Sequence, residues 1–306
     1  MKTSVVIPAY NAEAFIGATI DSVLGQTLGD LQVVVVDDGS ADRTREVVSS
    51  FGPRVTLVTG PRRGVSAARN TGVSASHGLY VAFMDHDDLW EPEKLARQTA
   101  ILDADPRVAL VFTQARVERE GRLVEVFPQI PEPARLLSAA YENLLHWNYI
   151  PMSSVMVRRA SLPEGKGAGP FDSRFRFSED WDLWLRIAAQ SGPGALAFIP
   201  EPLTRYQIVK GRATERMADL RMEDILIFEE QLAAHPDLAR ADKQRCRSTR
   251  YRLREQAGYW LLKEGRAAEA RHLLREAWRL RPFSTRPLKY LVASMIGLRP
   301  AGEGSG

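Results

Sequence analysis

The sequence predicts an α/β fold: a doubly wound, mostly parallel sheet flanked by helices, followed by a helical C-terminal region. Three observations predict it. Short β-branched runs recur about every 25 residues in the first half, with helix-patterned segments between them. Those runs end abruptly in turn-forming or acidic residues. After Arg212 the pattern becomes almost wholly helical.

The elements follow in order. "SVVIP" (4–8) reads as a buried strand. "AEAFIGATIDSVLGQ" (12–26) sets Phe15, Ile16, Ile20, Val23 and Leu24 at helical spacing. "LQVVVVDDGS" (31–40) is a strand stopped by turn residues. A helix over 41–50, a strand "RVTLVTG" (54–60) and a small-residue helix "GVSAARNTGVSAS" (64–76) come next. "LYVAFMD" (79–85) is a strand. "EPEKLARQTAILDAD" (91–105) is a helix with Pro92 suited to its first turn, and "VALVFTQARV" (108–117) is a strand. The middle of the chain is mixed. It predicts a hairpin near Gly121, a helix over 134–146, a strand "SSVMVRR" (153–159) and a Gly/Pro loop (163–170). A helix from Glu179 and a strand near 196–199 complete it. The segment 257–282 reads as a helical hairpin turning at Gly265, similar to one tetratricopeptide-type unit; one unit cannot build a solenoid.

Composition bounds the function. The chain has 306 residues, 44% hydrophobic and 26% charged, which suits a folded protein with a sizeable core. Cys246 is the single cysteine, so neither an internal disulfide nor a Cys-rich zinc site is available. It fits a reducing, cytoplasmic setting. Met1-Lys2 runs straight into a strand, with no apolar leader region, and no apolar run is long enough to span a bilayer. "LKYLVASMIGL" (288–298) could lie in a membrane interface. The net charge is +3, unevenly placed: residues 241–286 hold 13 Lys+Arg against 5 acids, or +8, leaving −5 for the rest. This basic region predicts solvated surface or peripheral contact with an anionic membrane face. Without an aromatic platform, nucleic acid is not an expected partner.

Strand ends carry the chemistry, because ligands of such sheets bind beyond the carboxyl ends of the strands. "IPAYN" supplies Pro8, Ala9, Tyr10 and Asn11. "VDDGS" supplies Asp37 and Asp38, and "MDHDD" supplies Asp85, His86, Asp87 and Asp88. "GVSAARN" adds Arg69 and Asn70. Together they suit a nucleoside diphosphate. Tyr10 can stack on a base, Asp38 can accept from a base N–H, and Arg69 can pair with a phosphate. The aspartates can hold a divalent ion that bridges the diphosphate. Taken singly, each has a plainer explanation: a turn, a packing ring, a chance D-x-D. Asp88 could cap the following helix. His86 is expected to point away from a metal, since oxygen ligands suit Mg²⁺ or Mn²⁺ better. Arg158 and Arg159 are expected on a solvated face. Trp147 suits either a sugar-stacking role in an acceptor segment (146–159) or core packing.

Four stretches carry a family resemblance: "SVVIPAYNAEAFIGATIDSVLGQT", "VVVVDDGSADRT", "GVSAARNTGVSASHGLYVAFMDHDD" and "SEDWDLWLRIA". Over about residues 3–210 the chain resembles the family 2 glycosyltransferases of the GT-A fold, which are inverting and use nucleotide-sugar donors. The resemblance implies that Pro8, Tyr10, Glu13, Asp38 and Arg69 line the donor site, with Ala9 and Asn70 beside them. It makes Asp85 and Asp87 similar to the acids of the D-x-D motif, Asp87 on the metal and Asp85 near ribose or metal. His86 stands where the family more often has a small residue or Asp. It makes Asp180, in "SEDWD", similar to the general base. The divalent cation would be Mn²⁺ or Mg²⁺, the nucleotide UDP, and the acceptor a glycan or lipid-linked glycan. The expected domains are 1–212, catalytic; 213–300, helical; and 301–306, a flexible tail. A nucleotidyltransferase would call for a Gly-rich basic loop after the first strand, which "PAYNAEAF" is not. A non-catalytic sugar-binding module is disfavoured by the intact acids.

Overall fold

The computed structural model describes residues 1–164, 169–208 and 216–295. The chain divides into two compact units, Met1–Val209 and Lys210–Gly306. The expected boundary at 212, the centre of the 163–170 loop, the end of the 288–298 stretch and the 301–306 tail fall outside the described residues.

The first unit is built on a sheet. Strands β1 (Thr3–Ala9), β2 (Leu31–Asp37), β3 (Val55–Thr59) and β4 (Tyr80–Phe83) lie in the order β3-β2-β1-β4, all parallel. Val5, Val6, Ile7 and Val33 through Val36 are buried on both faces of this sheet. That is why the runs read as continuous rather than alternating. Each such side chain contributes about 1.5–3 kcal/mol on burial. Helices α1 (Ile16–Leu24), α2 (Thr44–Ser49) and α3 (Val65–Ala75) make the crossovers. Gly72 lets α3 lie close on the sheet: a Cβ there would stand 2.3 Å from Val6 Cγ1.

The sheet then turns mixed. The remaining strands are β5 (Leu89–Trp90), β6 (Leu110–Arg119), β7 (Arg122–Phe127), β8 (Met156–Arg158) and β9 (Leu196–Ile208). β8 lies antiparallel between β4 and β6, and β9 runs parallel to β6. The expected hairpin joins β6 to β7 through Glu120 and Gly121, both at positive φ. The interleaved helices are α4 (Lys94–Ala104), α5 (Pro133–Ser138), α6 (Ala140–His146) and α7 (Glu179–Ser191).

Several boundaries differ from the sequence reading. The first helix begins at Ile16, not residue 12, because Asn11 at φ 47° and a turn ending in Phe15 N–H to Ala12 C=O come first. Pro92 precedes α4 rather than sitting in its first turn. β9 runs on to Ile208 through Pro200 and Pro202, which signalled a stop. Its pairing with β6 shifts register beside Gln114, opposite those prolines, so an irregularity absorbs the missing donors. Arg158 and Arg159 are struts rather than solvated charges. Arg158 donates to the carbonyls of Val108, Leu102 and Asp105, and Arg159 to those of Gly78 and Val73.

The second unit is helical: α8 (Met217–Ala234), α9 (Pro236–Ala241), α10 (Lys243–Lys263), α11 (Ala267–Leu280) and α12 (Thr285–Met295). Its core gathers Ala257, Leu261, Leu274 and Leu291. The α10–α11 hairpin turns at Gly265, φ 82°. No described helix is long and apolar enough to cross a membrane.

Candidate active site

The carboxyl ends of β1 and β2 form one end of the site. Ala9 C=O accepts from Asp38 N–H at 2.8 Å, which sets the two strand ends side by side. The adjacent aspartates then separate by role. Asp37 is fully buried and binds Arg45 Nε at 2.6 Å, a structural ion pair. Asp38 accepts from the N–H groups of Arg63 (2.8 Å) and Gly64 (2.7 Å). Tyr10 is half-buried, with the Arg62 guanidinium carbon 4.7 Å from its ring centroid. Gly39, at φ 81°, permits this approach, since a Cβ there would lie 3.1 Å from Arg62 Cβ. The sequence reading missed Arg62 and Arg63; "GPRRG" after the third strand was the available signal.

Asn11 and Glu13 shape the loop that carries Tyr10. Asn11 Oδ1 accepts from Ala41 N–H, and Glu13 Oε2 accepts from Arg43 N–H, each at 2.9 Å. Glu13 N–H in turn donates to Asp42 Oδ2 at 3.1 Å.

The acid run after β4 divides as well. Asp85 is partly open, its N–H donating to Ser153 Oγ at 3.0 Å. His86 Nδ1 lies 3.1 Å from Pro8 C=O, and its own carbonyl accepts from Thr19 Oγ1. The histidine therefore latches β4's end to β1's end. Asp87 is half-buried. Asp88 is a correction: it caps no helix, since α4 starts only at Lys94. It is buried and accepts from Gln207 N–H of β9 at 3.0 Å, while its Oδ2 has no hydrogen-bond partner. Burial, then the charges of Asp85 and Asp87, raise its pKa well above the ordinary carboxyl value.

Arg69 is engaged by protein carboxylates. Its guanidinium is buried, bound to Asp85 at 2.6 Å and to Glu179 on its other side. Burial opposes its charge, but Asp85 and Glu179 outweigh that and raise its pKa. Asn70 is likewise committed. Its Nδ2 donates to Phe171 C=O and its Oδ1 accepts from Phe171 N–H, both at 2.8 Å. That amide pair fixes the chain leading into α7.

The first turn of α7 then delivers Asp180. Burial first, then the adjacent Glu179 carboxylate, push its pKa up to about 8; Arg69 pulls the other way. Asn148 Nδ2 approaches Asp180 Oδ1 at 3.4 Å. Beside it Trp147 is 45% exposed and meets the rings of Phe127 and Tyr149, at 5.9 and 5.7 Å between centroids. Tyr206 of β9 joins both ends. Burial, then the charges of Asp88, Asp85, Asp87 and Asp180, raise its phenol pKa. Asn148 lay unnamed within the acceptor segment 146–159, and Tyr206 was not legible beforehand, because it arrives from a distant part of the chain.

Among the described residues no group of three or more His, Cys, Asp or Glu is set to hold a metal alone. Asp85 and Asp87 offer two carboxylates. That all-oxygen pair fits a small hard cation that completes its sphere with water and ligand phosphates.

Residues 4–161 match the model of the family described as Glycosyl transferase family 2. The amylovoran biosynthesis glycosyltransferase AmsB of Erwinia amylovora is 31% identical over 216 residues, spanning 67% of this chain and 69% of that protein. WfgD of Escherichia coli, a UDP-Glc:alpha-D-GlcNAc-diphosphoundecaprenol beta-1,3-glucosyltransferase, is 31% identical over 195 residues, spanning 63% and 72%. Among solved structures, the mannosyltransferase PcManGT of Pyrobaculum calidifontis, in complex with GDP-Man and Mn²⁺, superposes with a TM-score of 0.61. It is 21% identical, and the match covers 96% of this chain and 86% of that one.

Proposed function

The chain belongs to glycosyl transferase family 2 and has the GT-A fold, and from that premise we propose the reaction it carries out. It moves a sugar from a nucleoside-diphosphate donor, with UDP as the nucleotide, to a hydroxyl of a glycan or lipid-linked glycan. The anomeric carbon is inverted. WfgD, similar in sequence, is described as using UDP-Glc with a diphosphoundecaprenol-linked acceptor, which supports both substrate classes.

One observation carries this reading. Arg69 ties Asp85, at the end of β4, to the α7 turn that presents Asp180 with a raised pKa. Asp85 and Glu179, the chain neighbour of Asp180, are thereby held on one buried cation. At the other end, Tyr10 and Asp38 receive the nucleobase, on a loop shaped by Pro8, Ala9 and Glu13. Asp85 and Asp87 would hold Mn²⁺ or Mg²⁺. Such a cation neutralises charge developing on the departing diphosphate.

The acceptor oxygen attacks the anomeric carbon from the face opposite the diphosphate. The new C–O bond forms as the bond to the diphosphate oxygen breaks, and the nucleoside diphosphate leaves with that electron pair. Asp180 takes the acceptor proton, a contribution of about 10²–10⁴-fold. The geometry parallels inverting glycoside hydrolysis with an alcohol in place of water. Arg69 and Asn70 are positioning residues: one holds Asp85 and Glu179, the other the segment before α7.

A panel of nucleotide sugars, assayed for donor hydrolysis and transfer with and without Mn²⁺, tests the reading. One donor should be turned over, Asp180→Asn should abolish transfer while still binding it, and Asp87→Ala should lose Mn²⁺-dependent binding in calorimetry. Turnover by Asp180→Asn, or unchanged Mn²⁺-dependent affinity in Asp87→Ala, would overturn these assignments.

A further inference from the structure

The helical unit contains an open pocket of about 410 Å³, lined by none of the residues named in the transfer site. One wall is a single face of α10. Arg245, Ser248, Thr249, Arg252, Glu255 and Gln256 recur at three- and four-residue spacing, so they share one side of the helix. A helix facing its neighbours ordinarily carries apolar residues at those positions. Here all six are polar. The other wall comes from Arg281, at the end of α11, and Arg286, in the first turn of α12.

Several of these side chains have defined partners, although Arg245, Arg281 and Arg286 are exposed. Arg281 Nη2 donates to Ser248 Oγ at 2.7 Å, and its guanidinium carbon lies 4.8 Å from the Tyr251 ring centroid. Tyr251 is held in turn by Ser284 at 2.7 Å. Arg286 Nε stands 3.3 Å from Glu255. Four arginines therefore face one carboxylate among the described residues of the lining. Burial lowers the Arg252 pKa, as does the like charge of Arg221, which stands outside the lining, with Asp224 partly offsetting them. Gln256 Oε1 is buried without a hydrogen-bond partner, and a half-turn of that amide would present an N–H donor instead.

We propose that this pocket is a phosphate-binding site, built for a phosphomonoester or phosphodiester group carried by a lipid headgroup or a soluble ligand. Guanidinium forks beside two hydroxyls match the several oxygens of a phosphate better than the two of a carboxylate. The volume admits one or two phosphates with an attached polyol. A bound anion would offset the excess positive charge of the lining.

The test uses the full chain at low salt, with EDTA present to suppress metal-dependent donor binding. One arm titrates inorganic pyrophosphate by calorimetry. The other sediments the protein with phosphatidylglycerol–phosphatidylcholine vesicles. Each is repeated with the pocket pair Arg245→Gln/Arg281→Gln and with the charge-matched pair Arg275→Gln/Arg279→Gln, whose side chains are exposed outside the lining. The expected result is roughly tenfold weaker binding for the pocket pair and less than twofold for the matched pair. Vesicle binding that pyrophosphate competes away assigns the site to a lipid headgroup. Pocket-dependent pyrophosphate binding without vesicle binding assigns it to a soluble phosphate. Equal weakening by both pairs, or no binding in either arm, overturns the proposal. Circular dichroism of both pairs checks folding, and if the pocket pair fails to fold, Arg245→Gln alone takes its place.

Discussion

Arg69 Nη2 lies 2.6 Å from Asp85 Oδ1, with the guanidinium almost wholly buried. The same guanidinium reaches Glu179. A residue that looked like a phosphate ligand is thus the internal tie between the acid run after β4 and the helix that presents Asp180. Arg69→Met should cost about 3–5 kcal/mol, because it strands the buried Glu179 carboxylate, and the partly open Asp85, without their cation. Urea unfolding measures this. A loss under 1 kcal/mol would mean that the tie does not hold the site together.

Asp180 should govern the pH profile. With its pKa pushed up to about 8, the ionised base becomes abundant only as pH rises through that value. In the free enzyme log kcat/KM should climb with unit slope below about pH 8 and level off above it. A profile flat from pH 6 to 9 would remove Asp180 as the base.

The same shift has a stability consequence of opposite sense. The folded state keeps this proton between the ordinary carboxyl value and about 8, while the unfolded chain has already lost it. Stability therefore falls as pH rises through that window. Asp180→Asn removes the penalty. It should be inactive yet melt higher than wild type at pH 8.5, with the gap closing towards pH 4, as differential scanning calorimetry would show.

Asn148 favours the ionised form of Asp180 through its 3.4 Å contact. Asn148→Ala should move the kcat/KM profile to more alkaline pH while leaving the donor KM unchanged. A raised donor KM with no shift in the profile would assign Asn148 to donor binding instead.

Gly72→Ala should destabilise the fold by about 1–3 kcal/mol, since overpacking a rigid core has that cost. In an unconstrained helix the same change would stabilise. The difference is the 2.3 Å approach to Val6 Cγ1. Thermal melting of the variant is the measure.

Much of the fold was legible because burial writes itself into local pattern. Val5 to Ile7 and Val33 to Val36 are β-branched and sealed on both faces, so they announce parallel strands. β9 was legible only to Ile199, because Pro200 and Pro202 obey a local rule that a register shift against β6 overrides. Tyr10, Asp38, Asp85 and Asp87 stood out as candidates because strand ends are marked by abrupt changes of residue type, whereas Asp180 was singled out by the family resemblance.

The sequence by itself determined which elements form and which side chains stand at their ends. It did so because backbone propensity and hydrophobic periodicity act over a few residues. Only the tertiary structure decided how the charges pair. Asp37 and Asp38 are neighbours in the chain, yet one pairs with Arg45 and the other accepts from the backbone N–H groups of Arg63 and Gly64. Asp85 and Glu179 are far apart in sequence, yet share one arginine. Asp88 turns to β9 rather than to the helix after it. Electrostatic and hydrogen-bond partners are chosen by distance in space, which the fold sets and local pattern does not record.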